Sequence, residues 1–62
     1  MEEANIDFYG ELKSKSKYSY MVFDGVETIS LPKSRVLEMN KISGKDYRFL
    51  IPEKLAKEKG II

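Results

Sequence analysis

Apolar and polar residues alternate from Ile6 to Lys13. Ile6, Phe8, Gly10 and Leu12 fall on one side of an extended chain, and Asp7, Tyr9, Glu11 and Lys13 on the other. A period of two predicts a half-buried strand, and Gly10 within it predicts a bulge or bend. The polar residues 14–17 predict a connector. Residues 18–23 predict a second strand, with Tyr18, Tyr20 and Val22 on one face and Ser19, Met21 and Phe23 on the other. Asp24-Gly25 predicts a two-residue hairpin turn, because both residue types tolerate positive φ. A third strand is expected over residues 26–31, with Glu27, Ile29 and Leu31 on one face. Pro32 ends it, having no N–H for the ladder. Residues 35–39 are expected as a short strand and 40–46 as a hairpin loop around Gly44. Residues 47–51 are expected as a last strand that aligns Tyr47, Phe49 and Ile51.

The period changes at Pro52. Proline suits a helix start, where its missing N–H would have no partner anyway. Glu53 in the first turn and Lys57 and Lys59 in the last complement the helix dipole. Gly60 is placed to end the helix in a left-handed cap, with Ile61 and Ile62 folding back onto apolar surface. A helix of about two turns cannot stand alone in water, so Leu55 and the terminal isoleucines must anchor it to the sheet.

These elements predict a mainly β protein: a meander of four or five antiparallel strands with one short C-terminal helix. Consecutive strands joined by short turns pair as neighbours. A strongly curled sheet, like a small SH3-like or OB-like barrel, uses a small core well. The alternative is an open α+β sheet with the helix packed on one face. With 62 residues the chain is expected to form a single globular domain over 1–62, the polar segment 1–5 being flexible.

Composition narrows the chemistry. Without cysteine or histidine, the chain has no disulfide, thiol nucleophile, Cys/His zinc set or imidazole base. A core drawn from the 42% hydrophobic residues must suffice. Eleven Lys+Arg balance ten Asp+Glu, so no overall field selects DNA, anionic membrane or acidic substrates. The acidic, polar start is the reverse of a secretory signal. Wholly apolar runs are short, such as Met21-Val22-Phe23, against the ~20 residues of a membrane span. The expectation is a soluble cytoplasmic protein with no membrane association.

Candidate reactive groups are few. Asp7 and Glu11 share a strand face with Tyr9, but four residues of extended chain hold their tips apart, and a solvated face explains them. Asp24 is explained by its turn. Ser30, Ser34 and Ser43 lie in no nucleophile elbow. Lys33 beside Ser34 would have to be buried to lose its proton. No glycine-rich loop precedes a helix, so no phosphate cradle is expected. The chain is therefore read as a non-enzyme with no cofactor and no metal.

The candidate partner-binding residues are Lys13, Lys15, Lys17, Tyr18 and Tyr20. In an extended segment the three lysines would line one face, with the tyrosines following at once. Amines for phosphates and rings for bases are how OB-like sheets hold single-stranded nucleic acid. The same row also serves as a lysine-guarded strand edge or as part of a protein interface. An acidic N-terminal cluster of Glu2, Glu3, Asp7 and Glu11 opposes it, and such dipolar surfaces steer protein partners.

Two segments carry a resemblance. Leu31-Pro32-Lys33-Ser34 closes a strand, and Ile51-Pro52-Glu53-Lys54-Leu55-Ala56-Lys57-Glu58-Lys59-Gly60 follows some twenty residues on. This resembles small, largely uncharacterised proteins of bacteriophages and prophages, over roughly the second half of the chain. The pattern departs from that family at Ser30 and Lys54, where tryptophan is frequent, and at Arg35, where glutamine is. The resemblance implies a phage or mobile-element setting and no catalytic residues. The expected function is a non-catalytic module that binds and blocks a host protein, as anti-CRISPR and other anti-defence inhibitors do. Single-stranded nucleic-acid binding is the alternative, and self-association through an edge strand a third reading.

Overall fold

The computed structural model describes residues 4–62. It is mainly β: five antiparallel strands in one sheet and one short C-terminal helix. The strands are β1 (Asn5–Lys15), β2 (Ser19–Phe23), β3 (Thr28–Pro32), β4 (Glu38–Ser43) and β5 (Asp46–Pro52), followed by α1 (Glu53–Glu58). Their order is β3-β2-β1-β5-β4. Sequence neighbours pair at β1–β2, β2–β3 and β4–β5, and β1 also pairs with β5. The break falls between β3 and β4, where Pro32 ends the ladder and Lys33–Arg35 turn as a 3-10 helix. The sheet therefore stays open, with β3 and β4 as its edges, as in the second of the two expected architectures.

The inward residues of β1, β2, β3 and β5 build the core. Phe8, Val22, Ile29, Leu31, Phe49 and Ile51 are buried, and α1 adds Leu55 and Ala56 to the same cluster. Phe49 is its centre, fully buried, with ring centroids of Tyr20, Tyr47 and Phe8 at 5.8, 6.1 and 6.5 Å. Gly10 lets β2 come close. A Cβ there would lie 2.5 Å from Val22 Cγ1 and 2.7 Å from the Phe23 carbonyl oxygen.

Pro52 ends β5 and caps α1 in one residue. The Glu53 N–H, without a partner inside the helix, donates to the Ala4 carbonyl at 2.8 Å. At the other end Gly60 (φ 75°) donates to the Lys57 carbonyl, and Ile61 donates to that of Ala56. This is the Schellman arrangement that the Lys-Gly ending predicts. Ile61 packs against the core, whereas Ile62 is exposed.

Several boundaries differ from the sequence reading. β1 runs on to Lys15, and Asn5 already belongs to it, so the expected flexible segment is cut short; residues 1–3 of that expectation lie outside the described residues. The Asp24 turn is longer than two residues. Its Oδ1 accepts from the N–H groups of Val26 and Glu27, both at 2.8 Å, and β3 starts only at Thr28. The fourth strand starts only at Glu38: the 3-10 turn takes Lys33–Arg35, and Val36 and Leu37 connect it to the strand. The expected loop over 40–46 is mostly β4, with Gly44 and Lys45 alone at its tip. β4 is an edge strand wet on most sides, so its polar residues read as loop.

Candidate functional site

The structure does not keep the lysine row together. A bulge between Leu12 and Ser14 breaks the alternation of β1. Lys13, the extra residue there, turns to the face bearing Glu11 and Phe23. Its ammonium lies 2.6 Å from a Glu11 carboxylate oxygen and 5.3 Å from the Phe23 ring centroid. Lys15, beyond the bulge, stands opposite Tyr20, whose ring is part of the opposite, core-bearing side. Lys17 lies in the β1–β2 turn, its ammonium 5.4 Å from the Tyr18 ring.

The two tyrosines separate as well. Tyr18 is 72% exposed, while Tyr20 is half-buried against Phe49. Lys33, outside the candidate set, joins them. Its backbone N–H donates to the Tyr18 carbonyl, and its ammonium sits 5.2 Å from the Tyr20 ring. The β1–β2 turn, with Lys17 and Tyr18, and the adjoining Lys33 after β3 thus form a small basic end, with Lys13 on the other face. Only the β2–β3 register brings Lys33 there, so the local pattern carries no signal for it.

A second feature lies on the sheet face away from the core, which no described element covers. Cross-strand partners point to the same side, so Phe23, Glu11 and Asp46 form one row across β2, β1 and β5. Tyr9, two residues from Glu11, shares that face and is 56% exposed. These side chains and Ile42 line a shallow groove of about 300 Å³ that Asp24 closes at the β2–β3 turn. Every charged residue in its wall is acidic: Glu11, Asp24 and Asp46.

The three carboxylates differ in surroundings. The hydrogen bond and the charge of Lys13 hold the Glu11 carboxyl below its ordinary pKa, with Lys45 adding to the effect. The backbone N–H groups of Glu27 and Val26 do the same for Asp24. The Asp46 side chain has no hydrogen bond or ion pair to any described residue. Farther along the face, Arg48 bridges three strands. It donates to Asp7 on β1 at 2.9 Å and to Asn40 on β4 at 2.7 Å. Asp7 and Glu11, the carboxylates noted in the sequence, are thus held by different cations.

Tyr9 is the groove residue that the pattern exposed most clearly, as an aromatic on a strand's polar side. The Glu11–Asp46 neighbour relation depends on the non-local β1–β5 register and has no local signature. Among the described residues no three carboxylates converge as a metal set, and no helix is long and apolar enough to cross a membrane. No protein-family model, curated protein or solved structure matches the chain.

Proposed function

We propose that this chain is a non-catalytic protein-binding module that docks through its uncovered sheet face. One observation carries the reading: Tyr9 stands more than half exposed beside Phe23 in a groove, on a face that no element of the fold covers. Tyrosine, with an apolar ring and a polar tip, is enriched at interfaces and among their anchor residues. The phage-like ends of β3 and α1 support an accessory protein that binds and blocks a host protein in the bacterial cytoplasm. Inhibition of a defence system, CRISPR-type or other, is the class of action proposed.

The basic end favours a second reading, single-stranded nucleic acid on Tyr18 with Lys17 and Lys33 at the phosphates. Affinity capture from host lysate separates the two. The protein reading expects a captured protein that persists after nuclease and is lost with Tyr9→Ala. A captured species lost on nuclease treatment, and lost with Lys17→Ala/Lys33→Ala, contradicts it and supports nucleic acid.

A further inference from the structure

We propose that the groove beside Tyr9 receives an arginine side chain of the partner protein; this rests on the binding reading above and names the chemistry of its occupant. Three observations lead there. The groove wall combines aromatic rings with acidic groups, and the basic groups stand at its rim: Lys13 on Glu11 and Phe23, and Lys45 near enough to act on Glu11. Its volume, about 300 Å³, is at the lower end of small-molecule sites and suits one long side chain. Glu11 and Asp46 are direct cross-strand partners. Like charges placed opposite each other work against the sheet, and a cation between them removes that conflict.

Lys13 shows the chemistry within the chain. Its ammonium already makes both contacts expected of a bound cation, one with the Glu11 carboxylate and one with the Phe23 ring. It leaves Asp46 without a partner among the described residues. A guanidinium does what this lysine cannot. Its planar fork can donate to two carboxylates at once while its face lies on an aromatic ring. Arginine on the partner would therefore take Glu11 and Asp46 together, stack on Tyr9 or Phe23, and push the Lys13 ammonium toward water.

The test is an NMR titration of the full chain, labelled with nitrogen-15, using Gly-Gly-Arg-Gly-Gly and the same peptide with neutral citrulline in place of arginine. The arginine peptide should move the amides of Tyr9, Glu11, Phe23 and Asp46 with millimolar affinity. The citrulline peptide should bind about tenfold more weakly, since it keeps the shape and loses the charge-assisted bonds. Asp46→Asn should weaken the arginine peptide several-fold with the spectrum otherwise unchanged. Lys13→Gln should tighten it, because the internal competitor is gone. Equal binding of both peptides, shifts confined to residues 16–19, or weaker binding by Lys13→Gln would overturn the proposal. If no peptide shifts the groove while Tyr9→Ala still abolishes protein capture, the arginine inference fails and the docking face stands.

Discussion

Glu11 and Asp46 face each other across the β1–β5 ladder, two carboxylates on one face of adjacent strands. Their Cβ atoms are then about 5 Å apart. Sheets normally place opposite charges or apolar pairs in such positions, and local conflicts of this kind concentrate where a surface has work besides folding. Lys13 relieves the conflict on the Glu11 side only.

The pairing leads to a testable expectation. Asp46→Asn keeps the shape and removes one charge, so its melting temperature should rise slightly at low salt. The gain should shrink as salt is added, because exposed charges are screened. Thermal melts of both proteins at two salt concentrations check this. A lower melting temperature for the variant would mean that Asp46 stabilises the fold.

Gly10 and Gly44 should respond differently to substitution. Gly10→Ala forces a methyl against the Phe23 carbonyl, which is backbone and cannot swing away. Overpacking of this kind costs about 1–3 kcal/mol. Gly44 has open space around its missing Cβ and a left-handed backbone, φ 52°. Asparagine tolerates that region, so Gly44→Asn should change stability little. Urea titration should show a lower midpoint for Gly10→Ala alone.

The tail divides at its last two residues. Gly60→Ala should cost about 1–2 kcal/mol, because its left-handed conformation crowds a Cβ. Ile61→Ala should also lower the melting temperature, by less than the 1.5–3 kcal/mol of a fully buried side chain. Deleting Ile62, exposed in the structure, should leave the melting curve unchanged.

Acid should weaken the Asp24 turn. The Glu27 and Val26 N–H groups depress the Asp24 pKa in the folded state. The resulting stabilisation is complete above the unfolded pKa of about 4 and is lost as pH falls through the lower folded value. Glu11, depressed by Lys13, acts in the same direction. Asp24→Asn carries no titrating charge, so wild type should exceed the variant in stability at neutral pH and lose that lead in acid. Denaturation at neutral pH and at about pH 2.5, below the ordinary aspartate value, checks it. A constant difference would show that the charge is not what the turn uses.

The core was legible because its alternation is local. Phe8, Val22, Ile29, Leu31, Phe49 and Ile51 each stand on the face that the period of two assigned them. So was the helix end, since Lys-Gly-Ile carries its own backbone pattern. β4 was half legible: a strand was expected over residues 35–39, but the observed one runs Glu38–Ser43, because this edge strand, unlike β3, buries no residue that would impose a period, and its polar run looked like loop. The lysine row failed for a different reason. Alternation assumes an unbroken strand, and the bulge after Leu12 turns Lys13 away from Lys15. The groove was half legible: Tyr9 showed itself on a polar face, but Asp46 reaches Glu11 only through the β1–β5 pairing.

Photo-crosslinking tests the docking face most directly. A benzophenone amino acid placed at Tyr9, and separately at Tyr18, is irradiated in host cells expressing the full chain. Both positions are exposed and lie apart, on the uncovered face and in the β1–β2 turn, so the substitutions should leave the fold intact. A discrete protein adduct from position 9, with none from position 18, is the predicted result. An adduct from position 18 alone, with none from position 9, would contradict the account and move the binding surface to the lysine-bearing turn.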